Sequence, residues 1–487
     1  MLETRSEGSR VGYQDLRGYL ELLESVGLLK RVKAQVDLKH EIGAICARSI
    51  DRRGPALLFE NIKGYHGMPL VCNILSTTEQ LAVAFGTDPD EDQIYARIVH
   101  GMENRVKSLI RQGGPCKEEI IKGDAIDVYK FPTPYWHELD GGQYIGTTAG
   151  CITRDPDTGI LNMGSYRVMI KDTDRLATNI RGPHPIGGRK AASWSSPGDM
   201  GAAEHIMRNE AKGVATPIAL ALGMDTLLTL ASGSSVPPDQ HGHTEFEAAG
   251  AWRGSPTELV QCETSDLLVP AHAEIIIEGE IVPKARTPEG PHGESTGFYG
   301  DNPEAFVIKV KCITHRREPM SYGLICRVLE DYPRTLLRSG SFQTLLVRKS
   351  GLTNIRQAYL PEVGRLGMVV ISAEIRDAEE PKRIMKAAWE NGGARWIIVV
   401  DEDCDVRNWN DVMWRVCSAA VVERDVIEGP RRPQSGQQRG EVDFEPPPSG
   451  LGIDATMRFK EAKFPPVNAV TRELMSKVAA RWKEYGI

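Results

Sequence analysis

The chain has 487 residues, a net charge of −7, 41% apolar and 26% charged residues. That length allows about three domains of about 150 residues, and the apolar fraction excludes wholesale disorder. The acidic balance argues against a general nucleic-acid binder, whose footprint is a basic excess.

In chain order, residues 13–27 predict an amphipathic helix, with Leu16, Tyr19, Leu20, Leu23 and Val26 spaced by three and four and Gly27 closing it. A strand over 28–36, a helix over 40–50 and a buried strand over 56–61 follow. Helices are predicted over 79–85 and 93–110, before Gly113, Gly114 and Pro115 punctuate the chain. Residues 1–115 therefore read as an N-terminal α/β segment. From 116 to 330 short β-rich runs alternate with turns, at 146–153, 164–171, 218–222, 273–281 and 305–313, with one helix over 204–212. This region reads as an antiparallel sheet or barrel. Residues 331–487 return to strand–helix–strand–helix order, at 367–373, 381–391, 396–400 and 409–421, which marks an α/β layer with parallel strands. Residues 430–449 read as an exposed loop. The last helix, 467–485, places Val470, Leu474, Val478 and Trp482 on one face, for its own domain or for another copy.

No apolar run reaches the roughly 18 residues of a membrane span. Arg5, Glu7, Arg10 and Asp15 interrupt any secretory leader. Nine cysteines without a CxxC pair read as reduced thiols. A cytoplasmic enzyme is expected, with no membrane or nucleic-acid partner.

The sharpest motif is Thr287-Pro288-Glu289-Gly290-Pro291-His292-Gly293-Glu294. Its prolines and glycines disfavour a regular helix or strand, and a rigid loop can aim two carboxyls into one cavity. Crowded and dry, one carboxyl stays ionised and the other becomes a proton donor; the plain alternative is a solvated turn. In Asn162-Met163-Gly164-Ser165-Tyr166-Arg167 the Asn carbonyl suits a hard cation, Gly164 admits a ligand to the backbone and Arg167 can grip a carboxylate. The alternative is the start of a strand with a surface ion pair. His184, between Pro183 and Pro185, is a ligand or an exposed loop histidine. His241, His243 and Glu245 would share one strand face as a metal site, or form a polar loop. Asp401-Glu402-Asp403 is a ligand-facing strand end or a solvated one. Dinucleotide, P-loop and nucleophile-elbow motifs are absent from the sequence.

Taken in order, Asn162 to Arg167, His184, Glu245 and the Glu-Gly-Pro-His-Gly-Glu run at 289–294 make the chain resemble the UbiD family of reversible decarboxylases that use prenylated FMN. The opening DLRGYLELLESVGLLKRV, the segment 254–280, the stretch 408–414 and GLGIDAT at 450–456 extend the resemblance nearly end to end. It implies an α/β (α+β) fold: a split β-barrel flavin domain over 116–330, the N-terminal segment, and a C-terminal α/β domain over 331–487 that mediates dimers or hexamers. It implies reversible, non-oxidative decarboxylation of an aromatic or heteroaromatic acid through a covalent adduct with the cofactor, releasing CO₂. Asn162, His184 and Glu245 would hold Mn²⁺ (or Mg²⁺). Thr148 would lie near K⁺ (or Na⁺). Met163, Gly164, Ser165, Tyr166, Arg167 and Pro183 would line the flavin. Arg167, Glu289 and Glu294 would be the catalytic set, with Glu294 protonating the product carbon. A separate flavin prenyltransferase would supply the cofactor. Many relatives carry Lys where Gly450 stands, and an aromatic residue where His292 stands. The rival readings are a metal-dependent hydrolase on His241, His243 and Glu245, and a non-catalytic scaffold subunit of the same family.

Overall fold

A computed structural model describes residues 11–180, 201–326, 339–431 and 449–486, apart from gaps of one to four residues in the last three stretches. The N-terminal unit opens with helix α1 (Leu16–Ser25), whose first turn is capped by Asp15 accepting from the Gly18 amide. Strand β1 (Leu29–Val32), helix α2 (Glu41–Asp51), strands β2 (Ala56–Phe59) and β3 (Leu70–Cys72), and helices α3 (Thr78–Phe85) and α4 (Glu91–Glu103) follow. β1 and β2 pair in parallel, and β2 and β3 antiparallel. The sheet is completed from far along the chain, by Ser321–Tyr322 pairing in parallel with β3.

The helix expected over 93–110 ends at Glu103, because Asn104 turns the chain. Leu109–Arg111 becomes strand β4 instead. It pairs in parallel with β12 (Glu258–Gln261), which pairs with β13 (Leu268–Pro270).

The central sheet has nine strands. They are β5 (Glu119–Lys122), β6 (Tyr144–Gly146), β7 (Gly150–Arg154), β8 (Leu161–Ser165), β9 (Val168–Asp172), β10 (Arg175–Thr178), β11 (Thr216–Leu222), β14 (Ile275–Gly293) and β15 (Tyr299–His315). Their order is β6-β9-β10-β15-β14-β11-β7-β8, with β5 added beside β15. The order dictates the shape. β8 lies at one edge and β9 next to the other, yet only Tyr166 and Arg167 join them. Flat, six strand spacings would separate them by about 29 Å. Three Cα steps reach about 11 Å at most. The sheet must curl until its edges meet, which makes a split barrel. Its filling is aliphatic: Leu176, Leu220, Ile277, Phe306 and Ile308 are buried in one cluster. The continuous strand expected over 164–171 breaks at this seam.

Helices α5 (Gly201–Ala211), α6 (Thr226–Ser232) and α7 (Glu245–Arg253) complete the central unit. α7 packs on α4, where the Trp252 indole donates to the Ile98 carbonyl at 3.1 Å and lies against Gly101. Asp225 caps α6 through the Leu227 and Leu228 amides and takes a 2.7 Å bond from Arg253, both side chains being buried.

The C-terminal sheet has five strands, in the order Ile355–Tyr359, Met368–Ala373, Trp396–Asp401, Leu451–Asp454, Val426–Glu428. Its three central members are parallel. Helices Glu380–Glu390 and Trp409–Ala419 flank it. Asp401 is buried in this sheet and accepts from the Met457 amide at 2.6 Å, while Asp403 pairs with Arg415. Arg407 ties this unit to α4 through Asp92 and Glu91 and lies over the Tyr95 ring. Most of the loop at 430–449 lies outside the described residues.

The final helix runs only over Arg472–Ala480, and Leu474, Met475 and Trp482 are exposed. The reading that this face packs on its own domain is therefore corrected. All nine cysteines are free thiols. Among the described residues, no helix is long and apolar enough to cross a membrane.

The buried Asp225–Arg253 pair yields a stability prediction. Asp225→Ala leaves the guanidinium buried and removes a helix cap, which costs about 3–5 kcal/mol. The first thermal unfolding transition of the variant should fall accordingly; an unchanged transition would refute the assignment.

Candidate active site

Arg167 sits on the barrel seam, between β8 and β9. Its Nε and Nη2 donate to the two oxygens of Glu289 at 2.8 and 2.7 Å, and Nη2 also donates to the Gly300 carbonyl at 3.0 Å. Nη1 donates to Glu294. Four of the five guanidinium N–H groups are thus engaged. Glu289 is wholly buried and Glu294 more open, with side-chain exposures of 0% and 16%. Burial opposes the charge on Arg167, but the two carboxylates outweigh it and hold the guanidinium protonated.

The stretch at 289–294 is largely strand, contrary to the loop expected. It forms the end of β14, with register shifts against β15 on either side of Glu289. Gly290 lies among these bulges at φ +103°, a conformation that favours glycine. A Cβ on Gly141 would approach the Gly290 carbonyl to 2.1 Å, so the two backbones touch because neither carries a side chain there. Gly141 donates to the Pro291 carbonyl at 2.7 Å, and Gly293 to Asp140 at 2.9 Å.

Beneath Glu289 lies a second tier, of which sequence reasoning singled out His292 but missed Tyr144 and Asp140. The Tyr144 hydroxyl donates to Glu289 at 2.7 Å. Burial, then the Glu289 charge, push this phenol far above its usual range and keep it a donor. The His292 ring lies 4.0 Å from the Tyr144 ring, centroid to centroid. His292 Nδ1 stands 3.5 Å from an Asp140 oxygen. Burial raises the Asp140 carboxyl, but the nearness of His137 and His292 and the bond from the Gly293 amide override it and hold the group well below the usual carboxylate range.

On the other side of the seam, Glu245 opens α7, not a strand. It is buried, accepts from the Met163 amide at 3.1 Å and has its carboxyl pushed up by burial to about 8. Asn162, next along β8, has a buried amide nitrogen without a partner among the described residues. Amide orientation is inferred from bonding, so the same position can present the carbonyl oxygen. A dry carboxyl beside an unsatisfied amide is a donor set that fits a hard divalent cation. Gly164 is required by Tyr166, whose ring a Cβ would meet at 2.4 Å. Met163 is buried in the core, and Ser165 ends the strand. Thr148 is buried and donates to the Tyr322 carbonyl at 3.2 Å. Pro183 and His184 lie outside the described residues.

The hydrolase constellation is not formed. His243 pairs with Asp239 at 3.1 Å, His241 is exposed, and Glu245 turns to β8. Among the described residues, no three His, Cys, Asp or Glu side chains converge as a cation site. Gly450 packs under Trp389, where a Cβ would lie 3.0 Å from the indole nitrogen and 3.1 Å from the Gly429 Cα, so a side chain there would require these neighbours to shift.

With this geometry established, comparison gives the class. Three models of the 3-octaprenyl-4-hydroxybenzoate carboxy-lyase family match the chain: the N-terminal domain over residues 20–99, the Rift-related domain over 107–327 and the C-terminal domain over 339–455. The chain belongs to this family, the UbiD carboxy-lyases. It is similar to HmfF, a UbiD-class enzyme of Pelotomaculum thermopropionicum solved in complex with prFMN, at 30% identity and TM-score 0.78, covering 95% of this chain and 100% of that one. It is similar to the vanillic acid decarboxylase of Sedimentibacter hydroxybenzoicus in closed form, at 28% identity and TM-score 0.81, covering 97% and 99%. An uncharacterized Synechocystis protein, sll0936, is 28% identical over 509 residues, covering 97% of this chain and 96% of its own.

The second tier predicts a pH effect. The folded Asp140 carboxyl ionises more readily than its unfolded value of 3.8. Its stabilisation is therefore full above that value and lost only as the pH falls through the lower folded one. Asp140→Asn should lower the thermal midpoint at about pH 7, and the gap to wild type should narrow below about pH 4. A gap independent of pH would contradict this.

Proposed function

We propose that the chain catalyses the reversible, non-oxidative decarboxylation of an aromatic or heteroaromatic carboxylic acid, with prenylated FMN as cofactor. The observation that carries this reading is Arg167 held between Glu289 and Glu294 at the seam of the barrel. Loss of CO₂ from an aromatic ring leaves an electron pair on an sp² carbon, outside the π system. Side chains offer no sink for it; prenylated FMN, when bound, supplies one.

The protein's part is charge and proton placement. One buried guanidinium balances one carboxylate. Glu289, gripped at both oxygens and bonded by Tyr144, is the ionised partner. Glu294 receives one N–H from Arg167 through one oxygen, and its other oxygen carries the proton delivered to the product carbon. The remaining N–H of Arg167 Nη1 is the donor we assign to the substrate carboxylate. In the reverse direction, at high CO₂, Glu294 takes the proton back.

Asn162, His184 and Glu245 hold Mn²⁺ (or Mg²⁺) in this reading. Two neutral ligands and one carboxylate leave the ion net positive, so it attracts the cofactor phosphate. Thr148 lies by K⁺ (or Na⁺), and Met163, Gly164, Ser165, Tyr166 and Pro183 line the flavin. A flavin prenyltransferase supplies the cofactor, and the C-terminal unit assembles dimers or hexamers.

Co-expression with a flavin prenyltransferase, followed by an absorbance spectrum, the mass of the released flavin and a screen of aromatic acids for CO₂ release, tests the reading. A colourless protein that releases no CO₂ would overturn it. Glu294→Gln should keep its flavin and lose turnover, by at least about 100-fold. Normal turnover would remove the acid assignment. Glu245→Gln should lose metal and flavin together, measured by elemental analysis and absorbance; full flavin occupancy would count against the ligand set.

A further inference from the structure

His292 has no task in the chemistry above, and its environment is costly. It is 1% exposed, and neither ring nitrogen has a hydrogen-bond partner among the described residues. The 3.5 Å approach of Nδ1 to Asp140 is a close polar contact, not a formed hydrogen bond. Buried polar atoms left in this way oppose folding. A phenylalanine would stack on Tyr144 without that penalty, so packing alone does not account for an imidazole here.

The neighbours indicate what it does. Asp140 and His137 face it from residues 137–140, with the His137 ring at 6.1 Å, and Tyr144 faces it from β6. Through the Tyr144 hydroxyl it reaches Glu289, and through Glu289 it reaches Arg167. The ring of His292 thus bears on the aromatic body of Tyr144, while the tip of Tyr144 bears on the wholly buried carboxylate. Any tilt of the tyrosine ring changes the bond that Glu289 receives, and with it the partition of one proton between two carboxyls that share one guanidinium.

We propose that His292, braced on Asp140, positions the Tyr144 hydroxyl on Glu289 and so sets the proton balance between Glu289 and Glu294. His292 is a positioning residue, acting through Tyr144. The inference deepens the decarboxylase reading and rests on it for its kinetic consequence, but not for its structural one.

The test is a double-mutant cycle of His292→Phe and Tyr144→Phe in flavin-loaded enzyme, with kcat and KM followed against pH. His292→Phe should keep its flavin content and a KM within about twofold of wild type, while kcat falls about tenfold or more and its acid limb moves. Tyr144→Phe should behave alike, and the double variant should be no slower than Tyr144→Phe. His292→Asn, whose amide nitrogen stands near the place of Nδ1, should restore part of the pH profile. A wild-type profile in His292→Phe, or effects that multiply in the double variant, would overturn the proposal.

A second measurement needs no activity and survives a variant that folds poorly. In cofactor-free protein labelled at histidine Cε1, Glu289→Gln should move the NMR titration of His292. An unmoved titration overturns the coupling. If wild type carrying prenylated FMN decarboxylates no aromatic acid while that titration moves, the decarboxylase reading fails and the His292–Glu289 link stands.

Discussion

Two residues joining opposite margins of a nine-stranded sheet are the constraint on which the rest of the structure depends. Tyr166 and Arg167 force the sheet to close on itself, and the closure brings together groups from distant parts of the chain. Glu289 lies 122 residues from Arg167, and Tyr144 lies 145 residues from Glu289. Because the link is so short, Arg167 has little freedom to move without opening the barrel. The guanidinium is therefore held by the backbone on one side and by two carboxylates on the other.

That arrangement limits the charges the site can carry. A buried guanidinium without partners would be prohibitive, and two ionised carboxyls around it would leave excess negative charge in a dry place. The proposed division of labour, one carboxylate and one proton-bearing carboxyl, is the combination that avoids both penalties. Geometry distinguishes the two positions, because one carboxyl is gripped twice and wholly enclosed while the other is touched once at a more open place. The bulges of β14 and the bare backbones of Gly141 and Gly290 make this possible by letting two segments approach more closely than side chains allow.

The sequence was most legible where periodicity governs. The helices at α1, α2 and α3 and two of the three parallel C-terminal strands, Met368–Ala373 and Trp396–Asp401, follow from spacing alone, give or take end residues; the third, Leu451–Asp454, is not among the strands predicted from the sequence. The motif at 289–294 contains the two carboxyls that meet Arg167, but its glycines and prolines read as a loop because a bulged strand satisfies the same backbone demands. His241, His243 and Glu245 misled for a related reason. Alternation suggested a strand, while Thr244 and Glu247 form a capping box that starts α7 at Glu245. Tyr144 and Asp140 had no local signal, since each owes its role to partners far away in the chain. The exposed apolar face of the last helix shows the remaining limit: its pattern marks a buried surface without saying in which molecule.

The N-terminal sheet owes its fourth member to residues 321–322, about 250 positions after β3. During synthesis, that sheet must wait with β3's outer margin unpaired until the whole barrel has left the ribosome. Unpaired margins of this kind template association between chains. Vectorial emergence therefore makes the N-terminal unit the first to appear and one of the last to be finished. A chain cut anywhere within the barrel would leave it permanently incomplete, a natural client for chaperones that shield nascent strands.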